Sequence, residues 1–141
     1  MFLLDTNVIS ELRKARTGKA DLNVANWFRS VSATGLFLSA IVVHDLEIGA
    51  LLAARRDHSQ GAILHRWLHE QVLPEFAGRI LPVDIEVALQ GAKLHVPKSR
   101  PIHDALIAAT ALVHGMTIVT RNVTDFAPTG VKLLNPWAAA P

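Results

Sequence analysis

Short apolar runs alternate along this chain with longer stretches of helical periodicity. Phe2-Leu3-Leu4 is followed at once by Asp5-Thr6-Asn7 and an apolar-periodic segment through Leu12, which predicts a strand and then a helix. Residues 15 to 20 are small, basic and Gly-containing and read as a loop. Leu22, Ala25, Trp27 and Phe28 predict a second helix with an aromatic face, broken at Gly35. Leu36-Phe37-Leu38 is a second strand, leading through Ser39 as a cap into a helix from Ala40 to Arg55. A helical pattern from Ser59 to Phe76 precedes the brief strand Ile80 to Val83, and another helix covers Ile85 to Leu94. After a basic, proline-bearing loop, Asp104 opens a helix over Ala105 to His114 that Gly115 stops. Met116 to Thr120 is the last inner strand, Arg121 to Phe126 a loop, and Val131 to Leu134 an edge strand before a Pro-Trp and alanine tail.

Strands this short and this apolar, alternating with helices, are buried on both faces. The pattern therefore predicts a three-layer α/β/α sandwich with a mainly parallel central sheet, as one domain over 1–141. In such sheets ligands bind beyond the carboxyl ends of the strands, so residues directly after a strand are where chemistry is sought.

Composition removes several alternatives. Half of the 141 residues are hydrophobic and 18% are charged, enough for a packed core and too apolar for a disordered chain. No apolar run approaches a membrane span, and Asp5 interrupts the opening run too early for a secretory signal, so the expectation is a soluble, cytoplasmic protein that does not enter a membrane. With 0 Cys, disulfide scaffolds, thiol nucleophiles and cysteine zinc sites are excluded. The net charge of +2 says little alone. If four acids were gathered into one site, the remainder would carry 14 basic against 8 acidic side chains, an acidic pocket in a basic body. Such a body suits a nucleic-acid substrate.

Four acids follow strands or open helices: Asp5 after the first strand, Asp45 within two turns of the helix after the second, Asp104 at the start of the late helix and Asp125 after the last inner strand. A parallel sheet can bring these points to one edge. Carboxylates packed together repel and take up protons unless a cation neutralises them. Oxygen donors select Mg2+ or Mn2+, ions that activate water for phosphodiester hydrolysis.

The blocks that hold these acids are Leu3-Leu4-Asp5-Thr6-Asn7-Val8-Ile9-Ser10, His44-Asp45-Leu46-Glu47-Ile48-Gly49, Asp104-Ala105-Leu106-Ile107-Ala108-Ala109-Thr110-Ala111, and Thr120-Arg121-Asn122-Val123-Thr124-Asp125-Phe126. As an ordered set they resemble the PIN-domain ribonucleases of the VapC and FitB toxin group, over nearly the whole chain except residues 13 to 35 and 54 to 80. The resemblance implies a metal-dependent endoribonuclease that hydrolyses RNA by a metal-activated water, works as a homodimer and is held inactive by a cognate antitoxin protein. Carried over by position, Asp5, Asp45, Asp104 and Asp125 are the catalytic acids, with Asp5, Asp104 and Asp125 as metal ligands and Asn122 as a polar neighbour. Thr6 and Asn7 cap the first helix and hydrogen-bond a carboxylate or a metal water. Thr120 and Asn122 line the substrate side, and Arg100 and Arg121 contact RNA phosphates. One position departs from the family pattern: Asp45 stands where Glu is usual, which draws the carboxylate back by about 1.5 Å, one carbon–carbon bond. Glu47 does not replace it, because two helical positions turn it about 200° away.

Plainer readings exist for each residue. Asp5, Thr6 and Asn7 suit a helix cap, Asp104 a helix first turn, and Asp125 a turn. His65 and His69 have the i, i+4 spacing of zinc ligands, but Arg66 occupies the place of the metalloprotease Glu, so a solvated helix face is the reading. Trp27, Phe28 and Trp67 fit a core or a protein interface, including a seat for an antitoxin helix, better than base stacking. A catalytically inert PIN-like binding module is one rival. A phosphatase of the haloacid dehalogenase type is another, disfavoured because Asn7 stands where a second Asp is needed.

Overall fold

The computed structural model describes residues 1–138; the end of the predicted alanine tail lies outside the described residues. Five parallel strands form a sheet in the order β3-β2-β1-β4-β5: β1 (Phe2–Leu4), β2 (Leu36–Ser39), β3 (Ile80–Leu81), β4 (Thr117–Val119) and β5 (Leu133–Leu134). The registers Phe2 to Leu36, Leu4 to Val119, Leu38 to Ile80 and Ile118 to Leu133 run in parallel throughout. Leu3, Leu4, Leu36, Leu38, Ile118 and Val119 are all buried, which is why these strands read as continuous apolar runs. Helices flank the sheet as α1 (Thr6–Arg13), α2 (Leu22–Ser30), α3 (Ala40–Arg56), α4 (His58–Trp67), α5 (Leu73–Glu75), α6 (Ile85–Lys93), α7 (Ile102–His114) and α8 (Val123–Phe126), giving the three-layer arrangement. Among the described residues no helix is long and apolar enough to cross a membrane.

Differences from the predicted elements have local causes. Pro82 has no N–H for the ladder, so β3 ends at Leu81 and not at Val83. α7 begins at Ile102, its first N–H bond running from Ala105 to the carbonyl of Pro101, which puts Asp104 inside the first turn instead of before it. Residues 121–126, predicted as a loop, contain the helical turn α8, with the Asp125 N–H on the Asn122 carbonyl. The 59–76 pattern is interrupted by a π-helical turn over Leu68–Val72, just before Pro74, whose missing N–H leaves the ordinary helical ladder incomplete. The loop after α1 is a 3-10 turn, Lys14–Thr17, closed by Gly18 at φ 69°.

The sheet's order reverses between β1 and β4. β1, β2 and β3 step outward on one side, and β4 and β5 occupy the other. The crevice beyond the carboxyl ends of β1 and β4 is therefore the topological switch point.

α3 and α4 form an antiparallel hairpin joined at Asp57, which ends one helix and caps the next through Gln60 N–H. Their closest approach is at Gly61, where an added Cβ would lie 2.3 Å from the Ala54 Cβ. Gly61→Ala should lower stability by about 1–3 kcal/mol, the usual cost of overpacking, although alanine gains about 1 kcal/mol of helix propensity. Urea unfolding of the two chains measures the net effect; a more stable variant would mean that the two helices do not approach this closely.

Candidate active site

Asp5 ends β1 and caps α1. Its own N–H continues the sheet ladder to the Val119 carbonyl at 3.0 Å, and its Oδ1 accepts the Thr6 N–H at 2.8 Å. The other oxygen, Oδ2, accepts the Thr120 hydroxyl at 2.7 Å and the Asn7 side-chain amide at 3.3 Å. Thr120, the residue after β4, is fully buried and accepts the Asn122 N–H at 2.9 Å on the same hydroxyl. A relay from Asn122 through Thr120 to Asp5 thus closes the crevice floor across the two central strands.

Asp45 enters from α3. Its Oδ2 accepts the Thr6 hydroxyl at 3.3 Å, and its Oδ1 lies 2.8 Å from His103 Nδ1 and 3.7 Å from His44 Nδ1. Asp104 comes from the first turn of α7. Asp5, Asp45 and Asp104 line one open cleft of about 520 Å³, with Thr6, Asn7, Arg121 and Asn122 also on its walls. Asp125 is exposed and outside the lining, yet close enough for its charge to act on Asp5 and Asp104.

Burial is the main cause that pushes the Asp5 carboxyl above its ordinary value. The bonds from Thr120 and Thr6 oppose the rise, and the charges of Asp45 and Asp125 add to it. Asp104 is raised as well, first by burial and then by the charges of Asp5, Asp125 and Asp45, with His103 acting against them. Carboxylates that raise one another in this way carry negative charge that a cation would relieve. The carboxylates of Asp5, Asp45 and Asp104 are hard oxygen donors that fit a magnesium-type ion, and His44 and His103 place two imidazole nitrogens within 4.8 Å of an Asp45 oxygen.

Arg121 stands at the cleft with its guanidinium 5.2 Å from the Trp137 ring, and its backbone N–H donates to Asn7 Oδ1 at 3.4 Å. Arg100 differs from its sequence-based placement: its Nε donates to the Leu94 carbonyl at 2.5 Å, closing the end of α6, and it is absent from the cleft lining. Several residues of the cleft were not anticipated. His44 and His103 meet edge to face at 5.4 Å beside Asp45, although they are far apart in sequence. Ser10 and Glu11 also line the cleft, and Glu11 pairs at 3.1 Å with Lys14, whose place after the first helix already put it near the pocket by sequence. The helical spacing of Ser10 and Glu11 from Asn7 was a usable signal, since residues three and four apart share a helix face.

Comparison with known proteins agrees with this geometry. The PIN domain family model matches residues 2–129. The chain belongs to the PIN-domain family. It is 39% identical to the VapC ribonuclease Y4jK of Sinorhizobium fredii, over 99% of this chain and 100% of that one. It is 38% identical to toxin FitB of Neisseria gonorrhoeae, over 97% and 99%. Among solved structures, that of FitAcB from Neisseria gonorrhoeae superposes with a TM-score of 0.88 at 37% identity, over 99% of this chain and 100% of that one. This PIN chain thus has its acidic cleft where the sheet order reverses.

The raised Asp104 carboxyl gives a stability test. A carboxyl whose folded-state value exceeds its unfolded value of 3.8 withdraws stability as pH rises through that interval, and the loss persists above it. In metal-free buffer at pH 7, Asp104→Asn should therefore melt higher than the unsubstituted chain, about 4 °C for each kcal/mol relieved. The difference should vanish as pH falls toward 3.8. Differential scanning calorimetry across pH reads this directly; an equal or lower melting temperature at pH 7 would refute the electrostatic description.

Proposed function

We propose that this chain, as one PIN unit over 1–141, is a metal-dependent endoribonuclease and the toxin of a toxin-antitoxin pair. The observation that carries the proposal is the convergence of Asp5, Asp45 and Asp104 on one cleft at the switch point, with Asp125 in electrostatic reach. The whole-length likeness to a VapC ribonuclease and to toxin FitB supports it. Asp5, Asp104 and Asp125 would hold Mg2+ or Mn2+, which when bound supplies charge neutralisation and activation of water for phosphodiester hydrolysis.

The chain's own residues set the geometry. Thr120, Thr6 and Asn7 fix Asp5, so that its oxygens are oriented before any ligand arrives. Thr6 and His103 hold Asp45 from opposite sides. Arg121 presents a cation at the cleft for an RNA phosphate, a contact that positions substrate without reading its sequence, and Asn122 adds a polar wall.

Two surfaces support the expected partners. A groove of about 650 Å³ lined by Ile9, Leu12, Phe28, Trp67 and Phe76 offers an apolar seat for a cognate antitoxin. Ile48, Leu51 and Leu52 make an exposed i, i+3, i+4 stripe on α3, and Ile85 and Leu89 an exposed pair on α6, apolar surface suited to a second copy in a homodimer.

One observation favours a second reading, an inert PIN-like binding module. Both Asp45 oxygens already have protein partners, and this carboxylate is one methylene shorter than the usual Glu. Calorimetric titration separates the two: heat of Mg2+ or Mn2+ binding supports the nuclease, and none at millimolar metal supports the inert module.

Asp5→Asn and Asp104→Asn should each reduce metal-dependent RNA cleavage on the order of 10²-fold or more, since even partners behind the ligands commonly cost 10–100-fold. End-mapping on a panel of structured RNAs, with and without chelator, measures it; wild-type rates in either variant would sink the assignment. Arg121→Ala should weaken binding of a non-cleavable RNA about equally across sequences and reduce the salt slope by about 1. A sequence-dependent loss would instead give Arg121 a role in base reading.

A further inference from the structure

The α3–α4 hairpin brings together three side chains that the acidic cleft does not use. Ala54 faces Gly61 at the closed end. Followed outward along the antiparallel pair, position 47 falls opposite 68, between His65 on α4 and His69 in the π-helical turn. One Glu47 oxygen is 2.6 Å from His69 Nε2, and the other is 3.8 Å from His65 Nδ1. The two imidazole rings lie 4.2 Å apart with a 30° tilt, and the three donor atoms are all within 4.8 Å of one another.

A single imidazole would satisfy a plain hydrogen bond between the helices. Here two nitrogens address the two oxygens of one carboxylate. Tetrahedral zinc, with ligands at 2.0–2.1 Å, needs donor atoms about 3.3 Å apart. The two Glu47 contacts, each to its own oxygen, reach that value by opening one by about 0.7 Å and closing the other by about 0.5 Å, and the two imidazole nitrogens, within 4.8 Å of each other, are brought together by rotation of partly exposed side chains. The π-helical turn fits the same picture, because such turns commonly mark functional positions.

We propose that Glu47, His65 and His69 form a second metal site, selective for a zinc-type divalent cation, that clips the open end of the α3–α4 hairpin. Two imidazoles and one carboxylate suit zinc, while the carboxylates of Asp5 and Asp104 in the cleft suit magnesium. The side chains remain 32–58% exposed, which leaves the fourth position to water. Because Glu47 is turned about 200° from Asp45 along α3, filling one site does not consume a ligand of the other.

Cobalt(II) is the probe. Four-coordinate cobalt with imidazole ligands absorbs visible light far more strongly than six-coordinate cobalt among carboxylates and water. The chelator-treated full-length chain, titrated with Co2+, should develop one equivalent of the intense spectrum, displaced by Zn2+ and unaffected by excess Mg2+. His103→Gln, which removes one of the two imidazoles beside Asp45, should show the same spectrum. His65→Gln and His69→Gln should each weaken Co2+ binding at this site at least about tenfold, with circular dichroism confirming the fold. Glu47→Gln keeps a hydrogen-bond acceptor for imidazole yet should lose metal affinity. An intense spectrum that persists in the His65→Gln/His69→Gln double variant, or none in the unsubstituted chain, overturns the proposal and leaves an ordinary interhelical hydrogen bond.

Discussion

The cleft depends on one buried carboxylate. Asp5 is 6% exposed, ends the central strand, caps the first helix and is bound by the residue that follows β4. Its burial raises the carboxyl, and the Thr120 and Thr6 bonds lower it again, so the group is held in a compromise between desolvation and hydrogen bonding. Without the Thr120 hydroxyl, one oxygen would retain only the longer Asn7 contact at 3.3 Å. The rest of the cleft is arranged around this point, because Thr6 reaches Asp45 and Asn122 reaches Thr120.

Much of this architecture is legible in the sequence, since apolar strands followed immediately by polar residues are a local signal. Phe2–Leu4, Leu36–Ser39 and Ala40–Arg56 lie within a residue or two of their predicted bounds. Asp5, Asp45 and Asp104 were identifiable because each stands at a fixed distance from a strand end or helix start. What escaped is what depends on contacts between elements. His103 looks like one of several scattered histidines until α7 lies beside α3 and its ring meets Asp45. Arg100 looks like a phosphate ligand by proximity to Asp104, but the carbonyls left open at the end of α6 capture its guanidinium. The pairing of Glu47 with His65 and His69 follows from the register of a hairpin, which no single-helix spacing reveals.

The electrostatics of the cleft also explain why its acids differ. Burial is the main cause that raises both Asp5 and Asp104, and the charges of Asp45 and Asp125 add to both, but hydrogen bonds from Thr120 and Thr6 oppose the rise at Asp5, whereas at Asp104 the opposition comes from the charge of His103. His103 and Asp104 are consecutive in the chain, so the first turn of α7 carries both an acid and the ring that holds Asp45. The two acids from α3 and α7 are thereby mechanically linked as well as mutually repelling.

Trp137 gives this design its longest reach. Its carbonyl accepts the Asn23 side-chain amide at 2.8 Å, and its ring lies under the Arg121 guanidinium. A residue near the far end of the polypeptide is therefore anchored to α2 and braces the basic wall of the cleft. The mouth of the cleft is thus set in part by a helix that contributes no side chain to the acids at its base.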